Sequence, residues 1–482
     1  LGLLDEVLRY QQLKFCTPLN YLLLCYPFLV SELSQMARRV FRETLAALDP
    51  ARAVRRAARW QGDALDIAGQ RIQAPPSRPV YAVALGKAAR LMAQTLDEIL
   101  GPRLAGGVIS LPESEARLIT PGAGRDWGRW QIFGGGHPLP NAESWRAAQA
   151  AFALLRRADA ERAVVIFLIS GGGSAMMELP RDERLTLAEL KKINRALVEC
   201  GATIAEINAV RRALSAVKGG GLARAAPRAE QISLIISDTN PGDFASVASG
   251  PTCAPRPGDP QAAEVLSRYN LWDTMPPPAA AALRRTAETQ PVPNGARVVL
   301  LDQNDALAAA SGSAEKLGFA AEIAGEIVEQ PVEVGVKMLL ERLLEQMRKH
   351  AGAAVGVLSA GEFSCPVRGV GQGGRNSETA LRMTLLLHEH QVKLEGWQVA
   401  FLSAGTDGVD GNSPAAGASC APDTVTRAAA MGLDASQFLA NSDSYSFFNS
   451  LGDALETGPT GTNVRDVRIL LARQHTSQYH LR

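Results

Sequence analysis

"AVVIFLISGGGS", residues 163–174, decides the fold. Its first eight residues are an unbroken Val/Ile-rich run of strand length, the pattern of a strand buried on both faces and hence of a parallel sheet lying between helices. Three glycines between Ser170 and Ser174 then end the strand, and "AMMELP" carries the chain on to Pro180. Glycines let the main chain adopt positive φ and approach a ligand closely, so that successive N–H groups converge on an anion. A tight turn without a ligand needs less, and three glycines flanked by serines favour phosphate or carboxylate binding.

The same alternation extends outward. "VYAVALG" (80–86) reads as a strand with the helix "KAARLMAQTLDEIL" (87–100) behind it, and "QISLIISD" (231–238) as a further buried strand. Residues 186–226 carry two amphipathic helices that break at Gly201 and end in Gly219, Gly220 and Gly221. Beyond Thr252, "CAPRPGDP" and "MPPPAAAALRR" are too proline-rich for regular sheet and mark a domain boundary. A second series then follows: strand 297–303, helix 304–317, strand 319–325, helix 331–350, strand 353–360 with a hairpin partner at 364–368, helix 377–390 and strand 397–403. The pattern predicts an α/β protein with largely parallel sheet. Two later strands, "VGVLSAGE" and "VAFLSAGTDG", end as the first does, at Ser359 and Ser403. Ligands of open α/β sheets bind at the carboxyl ends of strands, so three strand ends look built for one ligand cleft.

Length and composition bound the function. A chain of 482 residues suits two domains at about 150 residues or more each. Fifty basic against 49 acidic side chains leave no field to hold a polyanion, which excludes nucleic acid as the main partner. Six cysteines without C-x-x-C spacing argue against a disulfide framework or a structural zinc, and read as reduced thiols in a cytoplasmic protein. The six histidines show no H-E-x-x-H pairing; His388 and His390 read as a solvated helix end. The apolar first thirty residues are interrupted by Pro18 and Pro27, too short in any run to span a bilayer, and lack a signal-peptide start, so residues 1–33 are read as an N-terminal extension and no membrane association is expected.

Several residues can carry chemistry. Lys87 opens a helix just past a buried strand, where a cation opposes the helix dipole and calls for an anionic partner; a surface lysine is the plain alternative. "GVGQGGRN" (369–376) has Gly369, Gly371 and Gly374 in dinucleotide-fold spacing, yet "SCPVR" before it is no buried strand and no acidic residue follows at the expected distance. Arg375 beside that loop suits a two-pronged grip on phosphate or carboxylate. "SAGTDGVDGN" (403–412) holds Asp407 and Asp410. They read either as turn formers or as carboxylates that coordinate Mg²⁺ or accept a substrate proton. Asp238, fixed at a strand end, is a metal or base candidate, and Asp243 lies in the loop beyond. Arg211, Arg212 and Lys218 read as a solvated helix face. This inventory suits phosphoryl transfer, where positioning and charge neutralisation do most of the work. It lacks both a G-x-x-x-x-G-K-[ST] loop and the protein-kinase motifs.

Taken together, "LGKAARLMA", "GGGHPLPNAES", "FLISGGGSAMMELP", "AVRRALSAVKGGGLA", "SDTNPGDFASVASGPT", "GQGGRNSETALRM", "LSAGTDGVDGNSPAAGA", "NSDSYSFF" and "TGPTGTNVRDVRILL" resemble, in order, the class II glycerate 2-kinases with a C-terminal MOFRL domain, across residues 34–473. The resemblance implies a Rossmann-like doubly wound domain at 34–290, a smaller α/β MOFRL-containing domain at 291–482, and an active site in the cleft between them. It implies ATP- and Mg²⁺-dependent phosphorylation of D-glycerate at its 2-hydroxyl, giving 2-phospho-D-glycerate and ADP. An NAD(P)H-dependent hydroxypyruvate reductase is the alternative, and a non-catalytic sensor of a small acid a third class. Lys87 and Arg375 match the family's basic site positions, for the transferring phosphate and the substrate carboxylate in either order. Ser170, Gly171, Gly172, Gly173 and Ser174, with Gly373, Gly374 and Asn463, fall to the nucleotide phosphates or the substrate anion. Asp407 is assigned to Mg²⁺ coordination or deprotonation of the 2-hydroxyl, with Asp238 the second and Glu362 a third carboxylate. Phe244 stands where family members more often carry an aspartate. A homodimer is among the assemblies the sequence allows.

Overall fold

The computed structural model describes residues 31–119, 127–284 and 291–475. Residues 1–30, with most of the segment read as an N-terminal extension, and residues 285–290, next to the expected domain boundary, lie outside the described residues. A small antiparallel meander of β1 (Ala58–Gln61), β2 (Ala64–Ile67) and β3 (Gln70–Gln73) leads into the first large sheet. That sheet consists of β4 (Val80–Leu85), β5 (Leu104–Pro112), β6 (Trp130–Gly135), β7 (Val164–Ser170), β8 (Glu230–Ile236) and β9 (Ala296–Leu301). Its spatial order is β6-β5-β4-β7-β8-β9 and every pairing is parallel. This is the doubly wound order, in which the chain reverses its direction of winding between β4 and β7.

β4 and β7 are buried along their whole length, which is why they read as continuous apolar runs. Alternate side chains serve opposite layers. Ala82, Ala84, Ile166 and Leu168 join the core beneath helix Ala89–Leu100, whereas Val83, Leu85, Val165 and Phe167 join the core beneath helix Ala142–Ala160. Register pairs Leu85 with Ile169, so Gly86 and Ser170 emerge side by side at the switch point.

Long insertions follow β7 and β8. Helices Leu187–Glu199 and Ile204–Leu214 each start with a reciprocal capping box, Thr186 with Glu189 and Thr203 with Glu206, and Gly201 at φ +77° separates them as expected. With helices Ala262–Arg268 and Pro277–Arg284 they bury an apolar cluster of their own.

The second large sheet contains β10 (Phe319–Ile323), β11 (Ala354–Ala360), β12 (Trp397–Gly405), β13 (Gly417–Cys420), β14 (Ala454–Leu455) and β15 (Asp466–Gln474), in the order β10-β11-β15-β12-β13-β14. It departs from the sequence reading in three respects. Only β10 and β11 are parallel, because the last strand, β15, inserts antiparallel to both β11 and β12. The hairpin partner at 364–368 does not form: β10 and β15 occupy both edges of β11, and Ser364 makes a single bridge to Pro331. The strand read at 297–303 as the start of the second series is β9, the edge of the first sheet.

The helix Glu32–Ala47 also lies elsewhere than its sequence position suggests. Leu33, Ala37, Val40 and Phe41 pack with Ala400, Leu402, Ile469 and Leu471 of the second sheet, and one continuous core joins them to the first sheet. No helix among the described residues is long and apolar enough to cross a membrane.

Candidate active site in the cleft between the sheets

The switch point is closed by backbone proximity. Gly86 has φ +111°, and a Cβ there would lie 2.4 Å from both Ser170 O and Ser170 Oγ, so glycine is required by conformation and by space. The Lys87 N–H donates to Gly171 O at 2.9 Å and the Ala88 N–H to Ser170 Oγ at 3.0 Å. The expected phosphate contact of the Ser170 hydroxyl is therefore not available: Ser170 is fully buried and ties β7 to the turn after β4. The other two similar strand ends behave alike. Ser359 Oγ accepts from Arg468 Nε at 2.8 Å, and Ser403 Oγ donates to Asn376 Oδ1 at 2.7 Å, both buried. What reaches the cleft is the chain beyond each serine.

Of the glycine loop, Gly172 and Ser174 line the cleft, while Gly171 and Gly173 are buried. A Cβ on Gly171 would fall 2.1 Å from Asp238 Oδ2, so the bare backbone makes room for that carboxylate. Ser174 Oγ shares a hydrogen bond with Ser249 Oγ at 3.0 Å, which donates in turn to Asn208 Oδ1 at 3.0 Å.

Lys87 and Asp407 meet across the cleft, Nζ to Oδ2, at 2.6 Å, one from each large sheet. Asp238 stands within electrostatic reach of both, and Asn463 Nδ2 from the second unit donates to its Oδ2 at 3.5 Å. Burial raises the Asp238 carboxyl above its usual range, and Lys87 opposes that shift. His137, which carries a cis bond to Pro138, faces the same pair. Burial and then the charge on Lys87 push its imidazole down to about 4, against the pull of Asp407, so it is neutral near pH 7. The sequence does not mark His137 out, because one loop histidine belongs to no pattern.

Arg375 begins the helix Arg375–Glu389 and is gripped by two carboxylates, Glu362 at 2.7 Å and Asp466. Burial opposes the guanidinium charge, but Asp466 and Glu362 outweigh it and hold the group above its ordinary value. Burial pushes the Glu362 carboxyl up to about 7, with Arg375 opposing. Asp410 turns away from the cleft. Its carboxylate accepts from Asn376 N at 2.9 Å, Ser377 N at 2.8 Å and Ser377 Oγ at 2.6 Å, capping the helix that carries Arg375. The N–H groups of Gly373 and Gly374 are likewise engaged, by Asn412 Oδ1 at 2.7 Å and Ser377 Oγ at 3.0 Å, so the anion-binding role expected of this loop finds its donors taken. Nor does the loop leave a sheet strand as a dinucleotide fingerprint would, since β11 ends at Ala360.

Two cavities open on the cleft. One, of about 290 Å³, is lined by Lys87, Asp407, Met176, Val409 and Thr462; the other, of about 440 Å³, by Gly172, Ser174, Asp238, Glu362 and the insertion helix Ile204–Leu214. His137 borders both. The solvated face expected for Arg211, Arg212 and Lys218 is contradicted: all three line the larger cavity, and Lys218 is buried in an ion pair with Glu178. Arg465 lines it as well, at φ +75°, donating to Asn240 of the first unit and to Gln303 and Glu329 of the second. Among the described residues, no group of three or more His, Cys, Asp or Glu side chains stands ready to hold a metal ion by itself.

Residues 36–284 match the family described as a domain of unknown function, DUF4147, and residues 355–466 match the MOFRL family. The chain is 34% identical to a glycerate kinase of Homo sapiens, with 92% of this chain and 93% of that one covered. It is 32% identical to a glycerate 2-kinase of Pyrococcus horikoshii, with coverage of 91% and 97%. The crystal structure of a glycerate kinase from Thermotoga maritima superposes with a TM-score of 0.72 at 30% identity, covering 91% of this chain and 99% of that one.

Proposed function

The chain belongs to the glycerate kinase family of DUF4147 and MOFRL domains, and from that premise we propose that it transfers the γ-phosphoryl group of ATP to the 2-hydroxyl of D-glycerate, giving 2-phospho-D-glycerate and ADP. The observation that carries the reading is the 2.6 Å contact between Lys87 and Asp407, a cation and a carboxylate brought from two sheets to one point. Phosphoryl transfer needs charge neutralised on the moving group and a hydroxyl held in line with it. In this reading Lys87 turns from Asp407 to the phosphoryl oxygens, and Asp407, released from its partner, takes the proton of the 2-hydroxyl. His137, neutral between the two cavities, orients that hydroxyl without adding charge.

The donor set fits Mg²⁺, which is usually bound through one or two carboxylates together with substrate phosphates rather than by an all-protein cage. Asp238 is the residue that would hold it, since Asp407 is committed here to the hydroxyl proton. The ion would supply Lewis-acid neutralisation of charge on the nucleotide phosphates. Of the glycine loop, Gly172 and Ser174, which line the cleft, are assigned together with Asn463 to the anions brought there. Arg375, locked between Glu362 and Asp466, stiffens the wall of the larger cavity in this free state and turns to an anion only as those carboxylates move.

The test is incubation of the purified chain with D-glycerate, ATP and Mg²⁺, read by phosphorus NMR, which separates the 2-phosphate from the 3-phosphate. The expected product is 2-phosphoglycerate. Absence of any ATP-dependent product, with loss of nicotinamide absorbance on adding hydroxypyruvate, overturns the reading in favour of a reductase.

A further inference from the structure

Five cationic side chains and six carboxylates line the larger cavity. Arg212, Lys218, Arg256 and Arg465 each have a carboxylate within ion-pair distance. Arg211 has none among the described residues. Its Nε donates to the neutral Asn194 Oδ1 at 2.6 Å, and neither Nη nitrogen donates to a described protein acceptor. Burial works against its charge, and Glu178 is near enough to be felt but not to pair. The carbonyl end of its own helix offsets only part of that cost. A largely buried guanidinium without a counter-ion is costly, and its two parallel N–H edges match a planar carboxylate. One helical turn earlier, Asn208 uses its Oδ1 for Ser249 and leaves its amide nitrogen without a described acceptor, on the same cavity.

We propose that Arg211, assisted by Asn208, is an anion subsite that takes the carboxylate of the hydroxy acid the enzyme phosphorylates. The assignment rests on the kinase reading for the identity of that acid. One uncompensated cation matches a monovalent carboxylate. A nucleotide polyphosphate, with three or four negative charges, would meet a cavity wall that carries more carboxylates than cations. The insertion helices thus serve recognition: Ile204–Leu214 presents the cation that receives the substrate's charged end.

The experiment compares wild type, Arg211→Gln and Arg211→Lys as full chains. Steady-state kinetics in Arg211→Gln should show the KM for D-glycerate raised about 10- to 100-fold, the range of a charge-assisted hydrogen-bond pair, with the KM for ATP within twofold. Arg211→Lys should recover part of the loss. The melting temperature should hold or rise, since removing an unpaired buried charge leaves no orphaned carboxylate. Calorimetric titration should show that Arg211→Gln weakens binding of D-glycerate and leaves that of neutral glyceramide unchanged. A rise in the KM for ATP alone overturns the carboxylate assignment in favour of a nucleotide phosphate, and no change in either KM overturns the subsite. If wild type does not phosphorylate D-glycerate, the kinase reading has failed separately. Calorimetry with D-glycerate, D-lactate and inorganic phosphate then decides: binding lost in Arg211→Gln sustains the subsite, and no wild-type binding removes it.

Discussion

Lys87 and Asp407 pair across the cleft, with side chains 24% and 15% exposed. Removing one partner of so shielded a pair costs about 3–5 kcal/mol, which in a chain of this length is only a few degrees of melting temperature, whereas a cation aimed at transferring charge is worth about 100- to 1,000-fold in turnover. Lys87→Met should therefore lower kcat by about two to three orders of magnitude while moving the melting temperature by no more than a few degrees, checked by coupled kinetics and calorimetry on one preparation. Glu362 supplies a pH signature. Its carboxyl titrates near 7 in the folded chain against about 4.3 when unfolded, so the folded state binds more protons between those values. Stability contributed by this group is complete below about pH 4.3 and is lost as pH rises through about 7. Denaturant titrations from pH 4.5 to 8 should show that decline in wild type and a flatter profile in Glu362→Gln. Lys87 was legible in the sequence because a buried strand delivers it. The partners of Arg375 were not: Asp466 lies 91 residues away, and no local pattern joins them.

At the scale of the element, the helix Arg375–Glu389 depends on one carboxylate. Three donors at its first turn converge on Asp410, whose own carboxyl burial pushes up to about 6 against those hydrogen bonds. Asp410→Ala removes the cap and should cost about 1–3 kcal/mol, read as a lower urea midpoint with unchanged slope. It should also reduce kcat/KM, because Arg375 is the first residue of that helix. Asp410→Asn, which keeps an acceptor oxygen, should regain part of both. Sequence left Asp410 open between turn former and ligand because spacing places a carboxylate on a loop without saying which way it faces. The buried strands β4, β7 and β8 were legible for the opposite reason, since burial on both faces dictates their composition. The hairpin expected at 364–368 failed on information the local sequence does not contain, namely that β15, about a hundred residues later, claims the same edge.

On the scale of the whole molecule, one apolar core runs from β4 and β7 through the helices to β12 and β15, so the two sheets are not independent bodies. Periodicity in the helix Glu32–Ala47 reveals a face to be buried but not its destination, and for that reason sequence order places it with the first sheet while packing places it on the second. Leu33, Val40 and Phe41 are at most 1% exposed there. At about 1.5–3 kcal/mol for each large side chain, their burial amounts to about 4.5–9 kcal/mol, comparable to the whole stability of a typical domain. Two consequences are measurable. Calorimetry of the full chain should give one transition with matching calorimetric and van't Hoff enthalpies, because separating the sheets would expose that shared core. A fragment of residues 303–475, which retains every strand of the second sheet, should remain aggregated or molten on its own. Linking residues 31–57 to its N-terminus should restore a cooperative melt and near-ultraviolet dichroism. A fragment that folds cooperatively without that helix would show the second sheet closing its own core, and would make the N-terminal helix an ornament rather than a wall.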